Sequence, residues 1–199
     1  MRLVLASTSP YRRALLERLR IPFQARSPGI DETPLAGEAP AVLAKRLAQA
    51  KAEAVAAAPE LAGAWVIGSD QVADLDGTAL GKPLTRARCI EQLLACSGRR
   101  VRFHTGLALA LAGSDRVQTC VEPFDVRFRK LTHAEVVQYV DVESPLDAAG
   151  GFYSEGLGIT LFDALEGRDP NALVGLPLIA LREQLAAADI NLLALAGSA

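Results

Sequence analysis

The chain opens with a short apolar run that leads into a segment with helical spacing. Residues 2–6 are almost continuously apolar, which predicts a short buried strand. Ser9 then occupies the position of a helix N-cap and Pro10 that of a first helical residue, and an apolar face follows at helical spacing. After this helix, "FQARS" predicts a second short strand. Strands and helices therefore alternate from the start.

The alternation continues as far as Gly98. Residues 28–38 are rich in proline, glycine and acids and predict a loop, and an alanine-rich helix is expected from Pro40 to Ala57. "WVIGSD" predicts a buried strand that stops at its polar residues, and the Asp-Gly turn in "LDGTALGKP" predicts a hairpin or an exposed loop. Thr85 is placed to cap a further helix that ends at Gly98.

The later part of the chain favours longer strands. Residues 100–129 predict two strands joined by a Gly-Ser-Asp turn, because apolar and polar positions alternate along them. Thr132 and Glu135 form a capping-box pattern before a short helix through Tyr139, and a final helix is expected over Pro177–Ala187. Strands alternate with helices in the first half of the chain, and long strands pair in the second half. This order predicts an α/β fold with a mixed sheet, in two lobes with a cleft between them.

Length and composition are those of a globular domain. The chain has 199 residues, 50% hydrophobic and 22% charged, so a single domain over residues 1–199 is expected. The net charge of −2 provides no long-range attraction to polymeric nucleic acid or to an anionic membrane. Apolar stretches are too short for a membrane span or a signal peptide, and the three cysteines lack metal-type spacing. We therefore expect a cytoplasmic protein whose cysteines are small buried side chains.

The end of the first strand combines hydroxyl groups with cations. Ser7, Thr8 and Ser9 follow the apolar run, and Arg12 and Arg13 lie in the first turn of the helix. Free backbone N–H groups, hydroxyl donors and guanidinium groups are together suited to phosphate oxygens. The alternative is an N-cap followed by solvated arginines, which explains Ser9 fully but accounts less well for the other groups.

Two acidic segments are candidates for binding a hard cation. Asp31 and Glu32 lie in a proline-containing loop, where solvated charge is common and a cation held through water is the alternative. Asp70 follows an apolar strand, a position from which carboxylates in α/β sheets hold a metal or accept a proton from water. Capping of a turn is the other interpretation of Asp70.

Each of the remaining polar residues, taken alone, has both a structural and a functional interpretation. Lys51 lies on the alanine-rich helix, where a lysine most often serves solubility. Lys82 lies in "LGKP", which lacks the glycine spacing and the hydroxyl of a P-loop. Glu155 lies in "YSEGLG", where the main chain could approach a flat ligand, and residues 169–171 are interpreted as a structural turn. Together these groups indicate an anionic ligand and a metal in a cleft.

The segments that carry these residues resemble the Maf family of nucleoside triphosphate pyrophosphatases. They occur in family order across nearly the whole chain: "LASTSPYRRALL", "DET", "AQAKA", "GSDQV", "LGKPLT", "TGLAL", "SEGLGITLF" and "EGRDPNALVGLPL". The resemblance implies a two-lobed, inosine triphosphatase-like fold with a central mixed, twisted sheet and an active-site cleft, usually in a homodimer. It also implies hydrolysis of a nucleotide α–β phosphoanhydride with a divalent metal, Mg²⁺ or Mn²⁺.

The resemblance assigns roles by matched position. The groups implied to hold the triphosphate are Ser7, Arg13, Lys51 and Lys82. Glu32 and Asp70 are implied to be the acidic pair around the metal and the attacking water, with Asp70 as proton acceptor. This division suits the chemistry, because cations neutralise the polyphosphate while acids hold the metal and orient water.

Three positions resemble the branch of the family that acts on 7-methylguanosine triphosphate. They are Tyr11, where that branch is expected to have tryptophan, and Gln71 and Glu155. Glu155 could accept hydrogen bonds from a guanine edge, and N7 methylation makes the ring cationic, which favours a carboxylate and an aromatic face. The implied role is house-cleaning of modified nucleotides. Pyrophosphatases for other purine or pyrimidine triphosphates, and a nucleotide-binding regulator of cell division, are the alternatives.

Overall fold

The central element of the protein is a seven-stranded mixed sheet. The computed structural model describes residues 1–197, and its strands lie in the order β2-β1-β3-β5-β6-β7, with β4 paired to β3. β1 is parallel to β2 and β3, and all other pairs are antiparallel. The strands are β1 (Leu3–Ala6), β2 (Gln24–Arg26), β3 (Trp65–Leu75), β4 (Thr78–Leu80), β5 (Arg100–Leu111), β6 (Val117–Phe128) and β7 (Phe162–Gly167). The α/β class with a mixed sheet is thereby confirmed.

Helices cover both faces of the central strands. They are α1 (Pro10–Glu17), α2 (Pro40–Ala56), α3 (Arg86–Cys96), α4 (His133–Glu143), α5 (Pro170–Val174), α6 (Leu178–Ala186) and α7 (Leu192–Ala196). Leu5 and Ile67 pack with α1 and α6, whereas their neighbours Val4 and Val66 pack with α2. Continuous apolar strands are required here, because both faces of the sheet are covered. The division of the domain into two lobes stays a prediction.

The expectation that the strand in "WVIGSD" stops at its polar residues is wrong. β3 continues to Leu75, and its pairing with β5 runs through Asp70, which lies opposite Gly106. The polar side chains interrupt the apolar pattern but not the backbone ladder, because they find partners above and below the sheet. β1 ends earlier, at Ala6, so Asp70 lies beside the carboxyl edge of β1.

The predicted caps agree with the structure, and three short elements were missed. Ser9 caps α1, Thr85 caps α3, and Thr132 forms a complete capping box with Glu135 in α4. α4 is longer than predicted. The missed elements are β7, α5 and α7, because β7 has only a brief alternation at a sheet edge and the two helices have only 5 residues each.

The cysteines of α3 are core side chains, as expected. Cys89 and Cys96 are both fully buried in the same apolar cluster. Burial raises the pKa of Cys89 to about 11 and that of Cys96 to about 12, so both thiols stay protonated at neutral pH. No helix within residues 1–197 is both long enough and apolar enough to cross a bilayer.

Candidate active site

A cavity of about 770 Å³ opens beside the carboxyl end of β1. Its walls come from the first turn of α1, the loop after β2, one side of α2, the middle of β3 and the segment 147–155. The volume lies in the range of small-molecule sites. All the predicted site residues except Arg13 line it: Ser7, Tyr11, Glu32, Lys51, Asp70, Gln71, Lys82 and Glu155.

A lysine bridges the two predicted acids. Lys51 Nζ lies 2.6 Å from Asp70 Oδ1 and 2.8 Å from Glu32 Oε1. Lys51 is only 4% exposed and Asp70 only 7%, whereas Glu32 is exposed. The solubility interpretation of Lys51 is therefore wrong, because its charge is buried and paired.

Burial changes the acid–base properties of this group. It raises the pKa of Asp70 above the ordinary value, and the positive charges of Lys51 and Arg12 oppose the change. Burial also lowers the pKa of Arg12, while attraction to Asp70 and Glu32 offsets part of the effect. A buried carboxylate with a raised pKa in a cavity is a candidate proton acceptor.

Two glycines allow α2 to bring Lys51 to the sheet. A Cβ on Gly68 would lie 2.2 Å from the carbonyl oxygen of Ala48, and one on Gly106 would lie 2.1 Å from that of Ala44. No side chain fits into such a gap, so the helix backbone rests directly on β3 and β5. Lys51 follows on the same helix face and meets Asp70, which points to this side of the sheet.

The turn between β1 and α1 is organised by serine side chains. Ser7 is buried, and its Oγ accepts the backbone N–H of Ser9 at 3.1 Å. Ser9 Oγ in turn accepts the N–H of Arg12 at 3.4 Å, so the capping role of Ser9 is confirmed. As an acceptor, Ser7 keeps its own hydroxyl proton available for a ligand in the cavity.

The two adjacent arginines lie in different surroundings, and the cavity lining includes Arg12 and not the expected Arg13. Arg13 lies outside the cavity, where its side chain is 62% exposed and pairs with Glu17. Arg12 lines the cavity instead, and its Nε donates to the carbonyl oxygen of Gly175 at 2.9 Å. Arg12 precedes the buried residues 15–16 at helical spacing and so shares their face. This spacing was a usable signal in the sequence.

The turn after β7 supports the cavity wall. Asp169 is fully buried, and its Oδ1 accepts hydrogen bonds from the backbone N–H and the side-chain amide of Asn171. Its other oxygen accepts a backbone N–H of α6, so Asp169 is structural as expected, but the residues that follow form the helix α5, which Asp169 caps, and not a simple turn. The carbonyl oxygen of Gly175 accepts hydrogen bonds from Arg12 and from Ser69, which ties α1 to β3.

Gln71 lines the cavity and also holds this turn. Its Nε2 donates to the carbonyl oxygens of Ala172 and Leu173 at 2.7 and 2.9 Å. The amide nitrogen is therefore committed to the protein, and the side-chain carbonyl oxygen is the atom left to contact a ligand. The role of Gln71 in specificity stays a prediction.

Aromatic and acidic side chains form another part of the wall. Tyr11 is 40% exposed, and its ring lies 5.6 Å from that of Tyr153, centroid to centroid. The hydroxyl of Tyr153 donates to Asp147, and Glu155 accepts the hydroxyl of Ser154 at 2.7 Å. Burial, followed by the bond to Asp147, raises the pKa of Tyr153, which keeps the phenol protonated. Sequence reasoning missed Tyr153 and Asp147, since neither lies in a periodic segment.

Comparison with known proteins gives the family. The model of the Maf family, described as "Maf-like protein", matches residues 2–188. The chain belongs to the Maf family. Two curated relatives, from two strains of Xanthomonas oryzae pv. oryzae, are named 7-methyl-GTP pyrophosphatase. Each is 58% identical over 191 residues, which cover 96% of this chain and 98% of the relative.

Solved structures show the same fold at low sequence identity. The Ham1 protein of Staphylococcus aureus has a TM-score of 0.52 and 16% identity to this Maf-family chain. The match covers 94% of this chain and 100% of that protein. The likeness confirms the expected fold and carries no information about substrate.

The acidic pair of this Maf-family chain fits a hard divalent cation that also contacts a ligand. Within residues 1–197, no group of three or more His, Cys, Asp or Glu side chains is arranged to hold a metal. Glu32 and Asp70 nevertheless converge on one point, since both lie within 2.8 Å of Lys51 Nζ. Mg²⁺ is commonly held by one or two carboxylates plus phosphate and water oxygens. The two carboxylates therefore fit such a cation only if its other ligands come from water or from a bound ligand.

Proposed function

We propose that this chain hydrolyses the α–β phosphoanhydride of 7-methyl-GTP, releasing 7-methyl-GMP and diphosphate. The observation that carries the proposal is the convergence of Glu32, Lys51 and Asp70 in a cavity that is also lined by Tyr11 and Glu155. The names of the two relatives at 58% identity support the same reaction and substrate.

The reaction is an attack of water on the α-phosphorus. A bond forms between the water oxygen and phosphorus, the bond from phosphorus to the α–β bridging oxygen breaks, and the electron pair leaves with diphosphate. We assign the proton of the water to Asp70, whose raised pKa suits an acceptor. Glu32 and Asp70 would hold a divalent metal, Mg²⁺ or Mn²⁺, which when bound supplies stabilisation of negative charge on the phosphates.

Cationic side chains have a separate role in binding the polyphosphate. Arg12 and Lys82 line the cavity, and Lys51 lies between the acids. Their charges offset the repulsion between phosphates and acidic residues, and stabilise the leaving diphosphate. We assign to Arg12 the phosphate contact that the sequence assigned to Arg13, because Arg12 faces the cavity.

The base is recognised by a carboxylate and an aromatic face. Glu155 can accept the N1–H and N2–H donors of guanine, which pyrimidines do not offer in this arrangement. The ring of Tyr11 can lie against a base that N7 methylation has made cationic. Such an activity would serve house-cleaning of modified nucleotides. Free thiols suit a cytoplasmic location, and the homodimer implied by the family stays a prediction.

The deciding experiment is release of diphosphate from a panel of triphosphates. The panel contains 7-methyl-GTP, GTP, UTP and dTTP, each with Mg²⁺ or Mn²⁺ and with a chelator as control. We expect the highest kcat/KM for 7-methyl-GTP and no activity with the chelator. Equal rates for UTP or dTTP would contradict the substrate assignment. If no nucleotide releases diphosphate, the enzymatic proposal is wrong and a nucleotide-binding regulator becomes the better hypothesis.

A further inference from the structure

Tyr153 lines the cavity, and the function proposed above gives it no role. Its ring lies 5.6 Å from that of Tyr11, with 31° between the ring planes. Rings at this distance and tilt are in contact. The two tyrosines therefore form one aromatic wall, in which α1 meets the segment 147–155.

Tyr153 is fixed from three sides. Its backbone N–H donates to the hydroxyl of Tyr139 at 3.2 Å, and Tyr139 is a buried residue of α4. Its own hydroxyl donates to Asp147, and its ring packs against Tyr11. A side chain held in this way loses little conformational freedom when a flat ligand stacks on it, which favours binding.

The charge around this aromatic wall is negative. Asp147 and Glu155 line the cavity, and neither carboxylate lies in an ion pair within residues 1–197. Glu32 and Asp70, in contrast, share the ammonium group of Lys51. The face of a tyrosine ring attracts a cation. A carboxylate that accepts a hydrogen bond from the phenol hydroxyl polarises the ring and increases this attraction.

We propose that Tyr153 is a second specificity residue of this cavity and that Asp147 is its positioning residue, together selecting nucleoside triphosphates whose base carries a positive charge. The inference rests on the proposed function and narrows its substrate class to bases made cationic by N-alkylation. Selection then follows the charge of the base and not the shape of a methyl group or the guanine edge alone.

A matched pair of substrates separates charge from shape. 7-Methyl-GTP has a cationic base, whereas 7-methyl-7-deaza-GTP has nearly the same outline and no charge. We expect kcat/KM for 7-methyl-GTP to exceed that for the deaza analogue by about 100-fold, the scale of cation–aromatic contacts with both rings of the wall. Equal values for the two substrates would overturn the inference, because recognition would then depend on shape.

Variants test the two residues separately. Tyr153→Leu removes the ring, and we expect the ratio of kcat/KM between the two substrates to fall by about tenfold. Tyr153→Phe removes the hydrogen bond to Asp147, and Asp147→Asn replaces the charged acceptor with a neutral one; we expect each change to lower the ratio by about threefold. The double variant Asp147→Asn/Tyr153→Phe should lower the ratio by less than the product of the two single effects, because both changes act on the same hydrogen bond. Asp163→Asn, at an exposed position of β7 outside the cavity, is the control.

The outcomes also separate this inference from the proposed function. A wild-type enzyme that hydrolyses 7-methyl-GTP while all Tyr153 and Asp147 variants keep the wild-type ratio would contradict only the inference. Additive effects in the double variant would contradict the positioning role of Asp147. If no triphosphate is hydrolysed, calorimetry measures the Kd of 7-methyl-GTP and of its deaza analogue instead. Tighter binding of 7-methyl-GTP that is lost in Tyr153→Leu would then support the inference without the enzymatic proposal.

Discussion

Lys51 Nζ donates a hydrogen bond of 2.6 Å to Asp70 Oδ1, and the two residues come from different layers, α2 and β3. Both side chains are buried, so each charge depends on the other for stabilisation. The contact is possible because the backbone of α2 rests on glycines of the sheet. The proposed proton acceptor and the packing of α2 on the sheet are therefore coupled at this point.

Asp70→Asn should abolish most of the diphosphate release. The amide keeps the size of the side chain but cannot accept a proton from water, so we expect kcat to fall by about 10²- to 10⁴-fold. The measurement is kcat with saturating 7-methyl-GTP, with the exposed Asp163→Asn as matched control. A variant that retains more than a tenth of the wild-type kcat would remove Asp70 from the role of proton acceptor.

The pH profile of kcat/KM should fall on its acidic side as Asp70 becomes protonated. Burial raises the pKa of Asp70 above its ordinary 3.8, so the carboxylate forms at higher pH than an exposed aspartate would require. We therefore expect kcat/KM to rise with pH through this raised pKa, and the residual activity of Asp70→Asn to lack that rise.

The same shift predicts an effect on stability. Because the folded state holds the Asp70 proton more tightly than the unfolded state, the contribution of this group to the free energy of unfolding falls as pH rises from 3.8 through the raised pKa. Urea unfolding of wild type and Asp70→Asn over this range measures the difference. A difference that is constant with pH would argue against the raised pKa.

Arg12 and Arg13 are adjacent and should differ strongly in importance. Arg12 lines the cavity, and we expect Arg12→Ala to lower kcat/KM by about 10- to 100-fold, as for loss of a charged hydrogen bond to phosphate. Arg13 pairs with Glu17 outside the cavity, and we expect Arg13→Ala to stay within about twofold of wild type. The reverse order of the two effects would restore the assignment made from the sequence.

Gly68→Ala should destabilise the protein and disturb the site together. The added Cβ would meet the backbone of α2 at 2.2 Å, so the helix that carries Lys51 must move, at a cost of about 1–3 kcal/mol. Gly81→Ala is the matched control, because nothing lies within 4 Å of its Cβ position. Urea unfolding measures both variants. A Gly68→Ala protein as stable as Gly81→Ala would show that α2 does not depend on this close approach.

Much of the fold and many components of the site were determined by the sequence alone. Local patterns placed Ser9, Thr85 and Thr132 as caps, because capping depends only on residues within one helical turn. Continuous apolar runs identified the central strands, because burial on both faces leaves no polar positions. The resemblance to the Maf family selected Glu32 and Asp70, whose side chains the structure brings together around Lys51.

Contacts between segments distant in sequence were decided only by the tertiary structure. β3 continues through Asp70 because its polar side chains find partners on α2 and near α5, which no local pattern reveals. Helical spacing already places Arg12 on the buried face of α1, but only the packing of α1 shows that this side chain, and not Arg13, lines the cavity. Tyr153 meets Tyr11 only after β5, β6 and α4 have carried the chain back to α1, and a contact of that kind leaves no periodic trace in the sequence.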